Sequence, residues 1–176
     1  LTFENLLDPD FLKYAKKKYG VQRQFAKSWV HGTNYGGGDR TMAATVGITV
    51  RENERYRMKW FGEHPGIKEW HNRTEKQINT YRFVENKFGY RYTFMGRVEG
   101  ELPNALAWVP QSTVGCVINR AWDNIERELS EAEVLIQVHD SLVGQFDEDK
   151  EEYMKQRIPE VARVVVPYER PLIIPV

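Results

Sequence analysis

Four side chains that suit phosphate chemistry recur at intervals of four residues near the start of the chain. They are Arg23, Lys27, His31 and Tyr35, and on a helix this spacing places all four along one face. Like charges at this spacing repel each other by about a few tenths of a kcal/mol, and a bound anion would relieve this repulsion. A polyphosphate suits the stripe, because Arg can bind it through two parallel hydrogen bonds and Lys as a point charge. A chance basic stripe on a solvated helix is an equally weighted alternative.

A single acid, Asp140, stands between two apolar runs in the stretch LIQVHDSLVGQF, residues 135–146. The β-branched residues and Gly144 predict two short strands that meet at a tight bend. At such a bend an Asp can be a turn residue that hydrogen-bonds its own backbone, or a metal ligand held on rigid strands. From this stretch alone the turn is favoured by roughly three to one.

The composition is ordinary for a soluble globular chain: 176 residues, 41% apolar and 28% charged, with a formal net charge of zero. The length suits one domain or a compact pair of subdomains. A basic first half precedes an acidic segment at residues 131–152, so local binding along a phosphate backbone remains open beside ordinary solvated helix faces. One cysteine, Cys116, excludes an internal disulfide. No apolar run approaches the roughly 20 residues that span a bilayer, so we expect a cytosolic protein with no membrane partner.

The elements that must position these residues follow from periodicity and from glycine and proline. Helical patterns cover residues 9–19, about 21 to 38, 51–64, 67–87, 104–129 and part of 147–165. The buried face of the 67–87 helix is predicted to contain Trp70, Ile78, Tyr81 and Val84. Pro110 is expected at an N-terminal turn or a kink of its helix. A hairpin is predicted over 88–97 and a final strand over 171–176.

Five stretches resemble, in the correct order, the motifs of one enzyme family. R-x-x-x-K-x-x-x-H-G-x-x-Y-G, from residue 23 to 36, resembles motif B, and QVHDSLV, residues 137–143, resembles motif C. Between them, EWHNRTEKQINTYRFVENKFGYRYTFMGR resembles a fingers helix that runs into a G-Y-x-x-T-x-x-G-R turn. WVPQSTVGCVINRAW resembles a palm helix, and RPLIIPV resembles the final strand. The family is the family A DNA polymerases, and the HGTNYG and HDS variants resemble phage members more than cellular repair enzymes.

The resemblance implies an α+β fold. A helical fingers subdomain would be followed by part of a palm whose small antiparallel sheet carries the His-Asp turn. Residues 1–93 would form the fingers segment with the nucleotide-binding helix, and residues 94–176 the partial palm with motif C.

The resemblance also gives the stripe its roles. Arg23 and Lys27 would hold the triphosphate of the incoming dNTP and assist catalysis. His31 stands where the family usually has a Phe or Tyr that stacks beneath the incoming base. Tyr35 would gate the templating base.

On the palm side, the resemblance makes Asp140 a carboxylate ligand of the catalytic Mg²⁺ pair. His139 would contact the primer terminus, and Gln111 and Arg97 the minor groove near the primer end. Ser141 stands where an acid is common. Phosphoryl transfer needs hard cations held by carboxylates, so the ligand interpretation of Asp140 now leads by roughly ten to one over the turn.

A second essential carboxylate, in motif A, is implied but not found. The acids before Arg23 are Glu4, Asp8 and Asp10, and LTFENLLDPD does not match motif A. Two metal ions about 4 Å apart need opposed carboxylates. We therefore expect this chain alone to have negligible activity, and to synthesise DNA on a primer-template with another polypeptide segment that carries motif A and the thumb.

Three other classes of protein remain open. A DNA- or nucleotide-binding module without catalysis would use the same basic helices. A metal phosphohydrolase of the His-Asp type needs further ligands on helices, and His31, His64 and His71 lack that context. A purely structural domain would use the many aromatic residues as core.

Overall fold

The fold is α+β, as predicted, in a computed structural model that describes residues 23–173, with side chains from Ala26 onward. Its helices are α1 Arg23–Asn34, α2 Asp39–Val46, α3 Val50–Glu63, α4 Pro65–Tyr81, α5 Leu102–Glu128 and α6 Glu151–Val161, with a 3₁₀ turn at Glu148–Lys150. Its strands are β1 Phe83–Glu85, β2 Arg91–Thr93, β3 Ala132–Val138, β4 Ser141–Phe146, β5 Val165–Val166 and β6 Leu172–Ile173. The helix predicted over 9–19 lies outside the described residues.

The described chain divides into two compact units. The first contains residues 23–83 and Thr93–Ala107, and the second contains Val84–Tyr92 and residues 108–173. The assignment of residues 1–93 to a fingers segment and 94–176 to a palm stays a prediction. Within residues 23–173, no helix combines the length and the apolar character that crossing a bilayer requires.

Helices α1 to α3 of the first unit pack around indole rings. The core cluster contains Ala26, Trp29, Val30, Met42, Val46, Tyr56 and Trp60. The rings of Trp29 and Trp60 meet edge to face, with centroids 6.1 Å apart, a favourable aromatic geometry. Helix α3 begins with a reciprocal capping box in which the Thr49 side chain accepts from Glu52 N–H and the Glu52 carboxylate accepts from Thr49 N–H.

Both ends of α4 differ from the prediction of a helix over 67–87. The helix starts at Pro65, because proline lacks only an N–H that the first turn cannot use. It ends at Tyr81, because Arg82 adopts a φ of 59° in the left-handed region. Val84 is buried as predicted, but on strand β1, whereas Tyr81 is 65% exposed.

The second unit is built on the later part of α5. Val117, Ala121, Ile125 and Leu129 recur every four residues and pack against Met154, Val161, Ala162, Val164 and Val166, as an amphipathic helix should. Pro110 lies inside α5 rather than at its start. Of the hairpin predicted over 88–97, the second strand is β2, and β1, which pairs with it, comes from the tail of the predicted 67–87 helix.

Candidate functional site

The middle of the predicted stripe, Lys27 and His31, lies on the face of α1 that points away from the core. The buried face consists of Ala26, Trp29, Val30 and Thr33. Lys27 and His31 are exposed, and Tyr35 is half-buried. Tyr35 follows the last residue of α1 but still donates its N–H to the His31 carbonyl at 2.9 Å, and the two rings lie 6.1 Å apart. The backbone of Arg23 begins α1, and its side chain lies outside those described.

A buried polar network holds α1 against α3. The indole N–H of Trp29 donates to the amide oxygen of Asn53 at 2.8 Å. The amide of Asn53, which is fully buried, donates to Asp39 at 2.7 Å. Arg57 donates to the same carboxylate oxygen at 2.9 Å and to the Gly37 carbonyl at 3.1 Å. The network therefore fixes the helix that carries Lys27 and the glycine segment that follows it.

The end of α1 is held by two aromatic side chains that bond Asn34. Trp60 donates its indole N–H to the Asn34 side-chain oxygen at 2.9 Å, and His71 Nε2 lies 2.7 Å from the Asn34 carbonyl. Burial lowers the pKa of His71 below 6.5, the bond to Asn34 acts in the opposite direction, and the nearby charges of Lys68 and Arg57 lower the pKa further. A neutral ring that donates Nε2–H is consistent with these surroundings.

Glycines let the chain turn sharply after α1. Gly36 has a φ of +77°, and a Cβ there would lie 3.2 Å from Leu106 Cδ1. A Cβ at Gly37 would lie 2.8 Å from the Gly32 carbonyl oxygen and 2.8 Å from the Met42 sulfur. Any larger residue at these two positions would have to displace its neighbours.

His139 and Asp140 form the two-residue turn between β3 and β4. The antiparallel register pairs Val138 with Ser141, so Asp140 lies in the tight bend that was predicted between the two strands. His139 has a φ of 55°, because two-residue hairpin turns require the left-handed region. Ser141 Oγ donates to the Val138 carbonyl at 2.8 Å, and Gln137 donates to the His139 carbonyl at 3.1 Å.

The carboxylate of Asp140 projects from an exposed turn. Within residues 23–173, no hydrogen bond or ion pair engages this carboxylate, and no group of three or more His, Cys, Asp or Glu side chains could hold a metal ion. Mg²⁺ takes one or two carboxylates beside substrate oxygens and water, and the role of Asp140 as one such ligand stays a prediction.

The remaining predicted residues are exposed. Gln111 lies on α5 directly after Pro110, and Arg97 lies in the segment between β2 and α5. Arg97 belongs to the first unit, whereas Gln111, His139 and Asp140 belong to the second. The roles of these side chains stay predictions.

Comparisons with known proteins all point to the same family of enzymes. The sequence pattern of the family described as DNA polymerase family A matches residues 11–175. DNA polymerase I of Pseudomonas aeruginosa is 28% identical over 166 residues, which are 88% of this chain and 18% of that protein. DNA polymerase I of Deinococcus radiodurans is 29% identical over 164 residues, which are 88% of this chain and 17% of that protein. The chain thus spans less than a fifth of the length of these curated relatives.

A solved structure shares the fold. It is the POL domain of Pol1 from M. smegmatis in complex with DNA primer-template and dNTP, with a TM-score of 0.73 and 19% sequence identity. The match covers 84% of this chain and 30% of that one.

Proposed function

Because the chain belongs to DNA polymerase family A, we propose that it takes part in template-directed DNA synthesis, transferring a nucleotide from a dNTP to a primer 3′-OH. The observation that carries the proposal is that one continuous family match, over residues 11–175, contains both the stripe on α1 and the His-Asp turn. The chain would be the fingers and palm part of the polymerase.

On the nucleotide side, Arg23 and Lys27 would neutralise the triphosphate as charge develops on it. His31, one turn further along the exposed face, would stack on the incoming base, and Tyr35 would close the templating position. The network from Trp29 supports this proposal, because a nucleotide site needs a helix held in one orientation.

On the palm side, Asp140 would hold Mg²⁺ at the tip of the β3–β4 hairpin. When bound, the metal pair would stabilise the attacking and leaving oxygens of the transfer. His139, the neighbour of Asp140 in the same turn, would lie against the primer terminus. Gln111 and Arg97 would contact the minor groove of the primer-template.

A second segment would complete this site. One exposed carboxylate binds Mg²⁺ weakly, and a two-metal centre needs an opposed acid. We propose that a further segment with motif A and the thumb supplies this acid, whether from a separate polypeptide or from elsewhere in a longer protein.

The test is a primer-extension assay with Mg²⁺ and dNTPs. The chain would be assayed alone and then with a separately supplied segment that carries motif A and the thumb. Asp140→Ala would be compared with Asp149→Ala, which removes the same charge from an exposed position in the same unit. We expect extension only with the added segment, abolished by Asp140→Ala and retained by Asp149→Ala.

Full extension by the purified chain alone would overturn the need for a second segment. Absence of extension in both arrangements would favour a different function, a DNA- or nucleotide-binding fragment without catalysis. In that case DNA binding should weaken steeply with salt, as counterion release requires, and should be indifferent to Asp140→Ala.

A further inference from the structure

The turn of α5 that carries Gln111 is locally weak. Pro110 precedes Gln111 inside the helix, and a proline there removes one helical hydrogen bond and crowds the preceding turn. The hydroxyls of Ser112 and Thr113 both donate to the Val109 carbonyl, at 3.2 Å and 2.7 Å. Such bonds from Ser and Thr tend to bend a helix. This turn therefore depends on contacts with another element to hold one conformation.

Asn86, at the start of the β1–β2 connection, supplies such a contact. Its side chain is buried, with 4% of the residue exposed. Its amide oxygen accepts from the backbone N–H groups of Phe88 and Tyr90, at 2.9 Å and 3.1 Å. Its amide nitrogen donates to Ser112 Oγ at 3.1 Å and to Cys116 Sγ at 3.4 Å. One side chain thus shapes the hairpin turn and joins it to the residue next to Gln111.

The same hairpin packs on α5 at two further points. The ring of Tyr92 lies 5.8 Å from that of Trp108, which is one turn before Gln111. The guanidinium of Arg120 lies 4.4 Å above the ring of Phe88, a cation–π contact. The hairpin consequently backs α5 on both sides of the weak turn, with Asn86 as the polar connection between them.

We propose that Asn86 is a positioning residue for Gln111. It holds the turn around Pro110 so that the exposed amide of Gln111 faces a minor-groove acceptor near the primer end. The inference rests on the proposed function. Asparagine suits the position because its amide both accepts and donates, whereas a leucine of similar size would do neither and an ionised aspartate would lack the donor.

The test measures binding of the chain to primer-template DNA by fluorescence anisotropy at one low salt concentration. Two duplexes differ only at the primer-terminal base, which is guanine or 3-deazaguanine, an analogue without the N3 acceptor in the minor groove. Gln111→Ala and Asn86→Ala should each weaken binding to the guanine duplex by about three- to tenfold, as loss of a hydrogen bond does. Neither variant should weaken binding to the 3-deazaguanine duplex, and the double variant should bind like Gln111→Ala.

Two further variants keep the test decisive. Ser112→Ala removes one of the two acceptors that Asn86 uses on α5 and leaves the bonds from Asn86 to Cys116 and to the hairpin. It should therefore give a smaller loss that also disappears on 3-deazaguanine. If Asn86→Ala fails to fold, Ser112→Ala takes its place in the test. Asn124→Ala removes another amide bond of α5, donated to the Val161 carbonyl at 3.2 Å, and should affect both duplexes equally.

A loss in Asn86→Ala that persists on 3-deazaguanine, or that adds to the loss in Gln111→Ala, would overturn the inference and indicate a structural role. A base-dependent loss in Gln111→Ala with none in Asn86→Ala and Ser112→Ala would overturn the inference and leave the proposed function intact. If Gln111→Ala binds each duplex as tightly as the unaltered chain does, both the inference and the minor-groove role of Gln111 are overturned. The primer-extension test would be unaffected by that result.

Discussion

Replacing Asn53 by alanine should destabilise the first unit by about 2–4 kcal/mol. Asn53 is fully buried and joins Trp29 of α1 to Asp39 of α2. Loss of the acceptor for a buried indole N–H costs about 1–3 kcal/mol. Loss of the charge-assisted bond from the Asn53 amide to Asp39 adds about 1 kcal/mol. A fully buried carboxylate would add more, but the Asp39 side chain is 35% exposed and keeps its bond to Arg57.

Urea unfolding followed by circular dichroism would measure this loss as a lower midpoint at an unchanged slope. Trp29→Phe removes the donor of the same bond, so Asn53→Ala combined with Trp29→Phe should cost at least about 1 kcal/mol less than the sum of the two single losses. Asn104→Ala is the matched control, because its amide bonds only an exposed carboxylate among the described contacts, that of Glu101, and should change stability by less than about 0.5 kcal/mol. Strictly additive losses, or a loss in Asn53→Ala no larger than in the control, would refute the reasoning.

Two other predictions concern stability. Burial lowers the pKa of His71 in the folded chain below 6.5, so the unfolded chain takes up the proton at a higher pH than the folded chain does. The neutral ring therefore contributes fully to the free energy of unfolding above pH 6.5, and this contribution is lost as the pH falls below 6.5. The urea midpoint should therefore fall more between pH values of about 7.5 and 5.5 in the unaltered chain than in His71→Gln; equal falls would contradict this. Gly36→Ala should cost about 1–2 kcal/mol, because φ is +77° and the added Cβ would lie 3.2 Å from Leu106. Gly38→Ala, with φ of −67° and nothing within 4 Å of an added Cβ, should be nearly neutral by the same urea assay, and similar losses in the two variants would argue against strain at Gly36.

Hydrophobic periodicity predicted an element correctly where the pattern of that element's own residues is strong. The amphipathic pattern of residues 51–64 predicted α3, and that of 104–129 predicted α5 in spite of Pro110. The apolar runs around Asp140 predicted β3 and β4 with a tight bend between them. Pattern failed at the end of α4, because Arg82 leaves the helix in a conformation that a side chain rarely adopts and that tertiary packing must enforce. The short helix α2 was also not predicted.

The sequence by itself predicted a phosphate-binding stripe, because residue type and spacing place its members along one helix face. The resemblance to family A polymerases added the DNA and metal-ion roles, which stay predictions. The sequence determined the family as well, because the motifs occur in order along nearly the whole chain. Only the tertiary structure decided what holds those residues in place. Asn53 and Asn86 have no signal in the sequence, because a buried amide is recognised by its partners, and these come from elements distant along the chain. The apolar runs predicted a bend near Asp140, and the register of β3 with β4 decided that His139 and Asp140 form it.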